Sequence, residues 1–187
     1  MKLIILDRDG VINHDSDAFI KSPEEWVPLP GSLQAIARLN QAGYQVVVAT
    51  NQSGIGRKLF DMATLNAIHQ KMHQAAQQVG ATIDSVFFCP HIAENSCDCR
   101  KPKPGMLLEI ARRYDVSLKG VHSVGDALRD LQSGFVMGCI PHLVLTGKGQ
   151  KTLEKGGLPP GTQIYPDLAA MVDQLLESSQ SEHTQAG

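Results

Sequence analysis

The sequence predicts one α/β domain built on an open, mostly parallel sheet with helices on both faces. Three observations carry this expectation. The chain has 187 residues, enough for one sizeable core and little more. Short apolar runs alternate with helix-period stretches about five times, the pattern of a parallel sheet with right-handed crossovers. Several apolar runs stop abruptly in polar clusters, at the strand ends where such sheets hold their ligands.

Leu3 to Leu6 is the first strand, broken by Asp-Arg-Asp-Gly. "PGSLQAIARLNQAGY" opens on Pro-Gly, runs with helical spacing and stops at Gly43. "YQVVVATNQSG" is a valine-rich second strand ending in a glycine loop. An amphipathic helix fills the span from Asp61 to Gly80, "DSVFFCP" is the third strand, and "PGMLLEIARRYDV" is a helix. "GVHSVGD" is the fourth strand, followed by a helix through "ALRDLQSGFVMG", and "IPHLVLTG" is the fifth. Lys148 to Gly161 reads as a Gly/Lys/Pro loop, and "DLAAMVDQLLE" as the last helix. The domain is expected to span residues 1–177. Residues 178–187 offer nothing apolar to pack and are expected to be a disordered tail.

Composition excludes several functions. A net charge of −2 gives no basic field for nucleic acid or an anionic membrane. No apolar run is long enough to span a bilayer, and the first residues do not form a signal peptide. A cytoplasmic protein that works as a monomer on a small molecule is expected. In that compartment clustered cysteines suggest metal rather than disulfides.

The chemistry gathers at the strand ends. Asp7 and Asp9 are two apart, so a strand would point both to one side. One carboxylate could then act as nucleophile and the other as proton donor. With Asp126 opposite, these hard oxygens suit Mg²⁺, although Asp-x-Asp-Gly is also an ordinary turn. Thr50 and the backbone N–H groups of Asn51, Gln52 and Ser53 could cradle phosphate oxygens, or simply form an Asx turn. Lys101 could serve as a point charge on a phosphoryl group or stay in solvent. Asp126 could instead cap the following helix, with Asp130 a surface charge.

"LDRDG", "ATNQSG", "RKP" and "VGDALRD", in that order, resemble the four motifs of the haloacid dehalogenase superfamily of aspartate-nucleophile phosphatases. The resemblance implies a sheet of that type without a cap domain. It implies that Asp7 takes the phosphoryl group, that Asp9 protonates the leaving oxygen and then activates water, and that Thr50 and Lys101 hold the phosphoryl oxygens. It also implies Mg²⁺ on Asp7, the Asp9 carbonyl and Asp126. In that superfamily a lysine often follows the motif-four aspartate. Here Ala127 stands in its place, with Arg129 two residues on.

One loop stands apart. Cys89, His91, Cys97 and Cys99 offer three thiolates and an imidazole, a donor set for a closed tetrahedral Zn²⁺ site. A redox pair at Cys97 and Cys99 is the other reading. Zinc would order a loop with little apolar material and deliver Arg100 and Lys101 to the crevice. "CPH…CDCRKPKPGM" with "TNQSGIGR" narrows the resemblance to the sugar-bisphosphate phosphatases of the superfamily, which share the zinc loop with histidinol-phosphate phosphatases. There Asp15, Ser16, Asp17 and Ala18, together with Arg100, would touch the sugar. Arg100, and then Arg57, are the candidates for a distal phosphate. His69 and His73 read as a polar helix face, "TGKGQKT" as a flexible loop near the site, Cys139 as core, and Trp26 as packing for the loop after the first strand.

Overall fold

Along the chain come β1 (Lys2–Leu6), α1 (Ser32–Gln41), β2 (Tyr44–Asn51), α2 (Ser53–Gly56), α3 (Met62–Gln78), β3 (Ser85–Cys89) and α4 (Gly105–Tyr114). They are followed by β4 (His122–Gly125), α5 (Leu128–Val136), β5 (Ile140–Val144), α6 (Gly149–Lys155), β6 (Gln163–Tyr165) and α7 (Leu168–Gln185). The structure, a computed structural model, describes residues 1–185, with side chains through residue 179. The strands form one sheet in the order β3-β2-β1-β4-β5-β6, with every neighbouring pair parallel.

The apolar runs are continuous because both sheet faces are covered. Ile4 and Leu6 of β1 join Val46 and Val48 of β2 on the face packed by α1, α3 and α7. Leu3 and Ile5 join Val47 and Ala49 on the opposite face, under Leu107 and Ile110 of α4. Trp26 is wholly buried in the first cluster and anchors the segment between β1 and α1, as the sequence suggested. No described helix is long and apolar enough to cross a membrane.

Strand order reverses at β1, which has β2 on one side and β4 on the other. The crevice beyond the carboxyl ends of β1 and β4 is therefore the expected ligand position.

Two segments differ from the sequence expectation. The segment from Lys148 to Gly161 contains α6, and a sixth strand, β6, follows it. A tertiary contact offsets the glycines: Thr152 Oγ1 lies 2.8 Å from the Asp126 carbonyl and 3.0 Å from the Lys148 carbonyl one turn back, its single proton shared between them. The boundary expected at residue 177 falls inside α7. The helix continues through Gln185, with the Ser178 and Ser179 hydroxyls back-bonded to the Gln174 and Leu175 carbonyls. Residues 186 and 187 of the expected tail lie outside the described residues.

Buried histidine gives the fold an acid sensitivity. His142 on β5 is 2% exposed, and its Nε2 sits 2.8 Å from His122 Nδ1. Burial, helped by His122, pushes its pKa from 6.5 down to about 3. The unfolded chain binds a proton near pH 6.5 while the folded one does not, so stability is full above that pH and declines below it. His142 is expected to account for about 1.4 kcal/mol of lost stability per pH unit between pH 6.5 and about 4. Urea unfolding of His142→Gln should show a visibly flatter dependence over that range. An unchanged slope would refute the assignment.

Candidate active site

The end of β1 positions two carboxylates with different surroundings. Asp7 is buried, and its Oδ1 lies 2.9 Å from Lys101 Nζ. That ammonium also sits 2.7 Å from Asp130 Oδ1 and 2.7 Å from the Ala49 carbonyl. Burial would lower the Lys101 pKa, but Asp130 and Asp7 outweigh it and hold it above the ordinary value. Burial, reinforced by Asp130 and only partly offset by Lys101, pushes Asp7 up to about 6. Asp126, at the end of β4, is pushed up to about 8 by burial and then by Asp130 and Asp7. One oxygen from each of Asp7, Asp126 and Asp130 lies within 4.8 Å of the others. Three carboxylates against the charges of Lys101 and Arg129 leave an excess of negative charge at a hard-oxygen site.

Asp9 is held differently. Its carboxylate accepts from Arg8 Nε at 2.9 Å, Arg8 Nη2 at 3.1 Å, Asn13 Nδ2 at 2.9 Å and Gln52 Nε2 at 3.1 Å. Burial disfavours its charge, yet these donors, led by Arg8, bring its pKa below the ordinary value.

Close backbone approach shapes the floor. Gly10 and Gly147 both have positive φ, and a Cβ on either would come within 2.0 or 2.2 Å of Asp126 Oδ2. Asp126 Oδ2 also accepts from the Lys148 N–H at 2.7 Å. The expected alternative role of Asp126 as a helix cap is not seen. Asp130 reaches back instead, its Oδ2 accepting from the Ala127 N–H at 3.0 Å. Asp130 is thus no surface charge: it is 3% exposed and ion-paired with Lys101.

The crevice, of about 220 Å³, is lined by Asp7, Asp9, Asp15, Ser16, Asp17, Thr50, Asn51, Gln52, Ser53, Arg57, Arg100, Lys101 and Asp126. Thr50 Oγ1 accepts from Gln52 Nε2 at 2.9 Å. Asn51 clamps the Lys101 segment, its amide donating to the Lys101 carbonyl and accepting from the Lys101 N–H, both at 3.1 Å. Ala18 does not line the crevice; Phe19 and Ile20 do. The chain turns at Phe19, which has positive φ, and Ala18 lines a neighbouring surface hollow instead. Arg57 stacks over the Phe19 ring at 5.8 Å, and Arg100 Nη1 donates to the His91 carbonyl at 3.3 Å.

Lys148, which the sequence reading did not place in the site, and Arg129 complete the wall. Lys148 pairs with Asp15 at 3.2 Å and Asp17 at 3.8 Å, joining the loop after β1 to the segment before α6. Arg129 lines the flank beside Ala127, with its Nε buried and without a hydrogen-bond partner among the described residues. Its charge is retained against burial by Asp130, Asp7 and Asp126.

Cys89, His91, Cys97 and Cys99 converge beside this crevice, one donor atom of each lying within 4.8 Å of the others. The sulfurs of Cys89 and Cys97 are 3.8 Å apart and those of Cys89 and Cys99 3.1 Å, while His91 Nδ1 is 3.3 Å from Cys99 Sγ. The three cysteines are free thiols. Cys139 is buried elsewhere in the core, as expected.

This fold is that of a haloacid dehalogenase-like phosphatase. A family described as polynucleotide kinase 3 phosphatase matches residues 2–135. The D-glycero-beta-D-manno-heptose-1,7-bisphosphate 7-phosphatase of Bordetella bronchiseptica is 64% identical over 179 residues, 96% of this chain and 100% of that protein. Its Pseudomonas putida counterpart is 53% identical over 176 residues, 94% of this chain and 100% of that protein. The crystal structure of D,D-heptose 1,7-bisphosphate phosphatase from B. bronchiseptica complexed with magnesium and phosphate matches with a TM-score of 0.94. Its identity is 65%, and the match covers 95% of this chain and 99% of that one. The chain belongs to the D-glycero-beta-D-manno-heptose-1,7-bisphosphate 7-phosphatase family.

Proposed function

We propose that the protein is a Mg²⁺-dependent phosphatase that removes the 7-phosphate of D-glycero-β-D-manno-heptose 1,7-bisphosphate in the cytoplasm. The observation that carries this is the cluster of Asp7, Asp126 and Asp130, with Lys101 paired to Asp7 and Asp130, in a chain 64% identical to a phosphatase of that name. The product keeps its anomeric phosphate, the group a nucleotidyl transfer would use in supplying activated heptose for the lipopolysaccharide core.

Asp7 attacks the 7-phosphoryl group and carries it as an aspartyl phosphate. A proton from Asp9 goes to the departing sugar oxygen. Asp9 then takes a proton from water, which attacks the phosphorus and frees Asp7 and phosphate. In the ligand-free site Asp9 is biased towards its ionised form, the form needed for the second half. A phosphoryl dianion arriving beside it raises its affinity for a proton before the first half. Lys101 and the Thr50 hydroxyl hold phosphoryl oxygens, and Asn51 keeps Lys101 in register.

The surplus of negative charge fits a cation, and Asp7, Asp126 and the Asp9 carbonyl would hold Mg²⁺. Bound there, Mg²⁺ supplies charge neutralisation for the carboxylates and the phosphoryl oxygens. All these groups come from one chain, so the reading needs no second copy.

A comparison of kcat/KM for the heptose bisphosphate and for histidinol phosphate tests the substrate. The bisphosphate should win by a wide margin, and preference for histidinol phosphate would sink the reading. Arg100 is the proposed contact to the sugar or its distal phosphate, with Arg57 second. Arg100→Ala should cost about 1.5–3 kcal/mol in kcat/KM on the bisphosphate, the size of one charged hydrogen bond. A small monophosphate without the distal group should lose much less. Equal losses would put Arg100 at the reacting phosphate instead.

The three thiols and His91 suit a structural Zn²⁺. Their four donor atoms lie within 4.8 Å of one another, and together these residues would hold the ion in a closed site with no open position for water. Elemental analysis of protein purified without added metal is expected to find one zinc per chain. Cys97→Ser should lower both zinc content and kcat, because Arg100 and Lys101 leave the same loop. Full activity with no zinc would overturn the assignment.

A further inference from the structure

Arg8 stands between the two proposed catalytic aspartates in sequence, yet it is completely buried. Its guanidinium is shared between two partners. Nε and Nη2 fork the Asp9 carboxylate at 2.9 and 3.1 Å, while Nη1 lies 3.1 Å from His69 Nε2. His69 comes from α3, 61 residues away, and is 8% exposed, its ring tilted against Phe88. It is not on a polar helix face, as the spacing with His73 had suggested.

The direction of this bond follows from chemistry. A guanidinium has no acceptor, so Arg8 donates and His69 Nε2 accepts. The ring is therefore neutral, with its proton on Nδ1. Burial, with the charge of Arg8, favours the same state by pushing the His69 pKa down to about 3.

We propose that His69 is a positioning residue for proton transfer: through Arg8 it fixes the Asp9 carboxylate in the orientation that protonates the leaving oxygen and then activates water. The inference rests on the role given to Asp9 above. Asn13 and Gln52 each give Asp9 one hydrogen bond, but only Arg8 grips both of its oxygens. Within the described residues, His69 and Asp9 are the side chains that receive hydrogen bonds from Arg8. Without an acceptor at residue 69, Nη1 is left buried and unpaired, and the guanidinium turns or draws in water to satisfy it. The fork on Asp9 moves with it. Proton transfer is sensitive to such shifts, since a displacement near 1 Å can cost about 10²-fold.

A double-mutant cycle on heptose bisphosphate hydrolysis tests this. His69→Leu is expected to lower kcat by about 10- to 100-fold with KM near that of the wild type. His69→Gln, whose amide oxygen can accept in place of Nε2, should recover most of that loss. Asp9→Asn should lose about 10²- to 10⁴-fold. The pair His69→Leu with Asp9→Asn should be no slower than Asp9→Asn alone, because His69 acts only through Asp9. Additive losses would mean that His69 merely supports the fold and would overturn the inference. A His69→Gln variant as slow as His69→Leu would do the same. Should His69→Leu fold poorly, His69→Met, equally unable to accept, is read in its place. If Asp9→Asn itself kept normal kcat, the proton-transfer role of Asp9 would fall, and this inference with it.

Discussion

Asp7→Asn is expected to bring phosphate release down to background while leaving the protein folded. The loss has two sources in one atom change. A carboxamide is a poor nucleophile, and it is a weak ligand for a hard cation. The fold should survive because Asp7 is a crowded charge. Burial and Asp130 already push it up to about 6, so an amide of the same shape relieves repulsion there. Lys101 keeps Asp130 and the Ala49 carbonyl as partners. Thermal unfolding near the wild-type midpoint, together with absent turnover, separates lost chemistry from lost structure. Near-normal kcat in this variant would contradict the mechanism.

Lys101→Met is expected to damage both stability and rate. Lys101 is 3% exposed and is the ammonium ion-paired with both Asp7 and Asp130. Removing one partner from a buried ion pair typically costs about 3–5 kcal/mol, because the remaining charges stay buried and unpaired. The defect should depend on pH. Carboxylates with raised folded-state pKa values are destabilising when ionised, and they regain stability as pH falls through those values. With Asp7 near 6 and Asp126 near 8 even in the presence of Lys101, the variant should be weaker at pH 8 than at pH 6. Turnover should fall about 10²- to 10³-fold, the usual loss when one preorganised contact to a developing charge is removed. Urea unfolding at the two pH values, without Mg²⁺, reads the first effect and phosphate release the second. Wild-type stability at pH 8 would show that the three carboxylates do not depend on this lysine.

Much of the site was legible because its signals are local. Asp7 and Asp9 close an apolar run, and a strand end is where a carboxylate can leave the core without leaving the sheet. The thiols and His91 fall within one short stretch. What could not be read depends on contacts distant in sequence or on which side of a helix faces inward. Asp130 could be a surface charge or a companion of Asp126, and the first turn of α5 decides it by carrying the side chain back against Ala127 and into Lys101. Nothing in the sequence assigns Arg8 a role, because the acceptor that turns it inward, His69, lies far along the chain. α6 was read as a loop from its glycines. Its helix is tied down by Thr152 bonding to the Asp126 carbonyl, a contact made only once β4 and β5 are side by side.

The central claim, a covalent phosphoryl group on Asp7, is tested most directly by acid-quenching the enzyme during turnover of the heptose bisphosphate and analysing its peptides by mass spectrometry. The peptide holding Leu3 to Arg8 should carry one phosphoryl group on Asp7. The group should be lost on hydroxylamine treatment and be absent from Asp7→Asn. Quenched active enzyme that carries no phosphoryl group on that peptide, or carries it on another residue, would contradict the account.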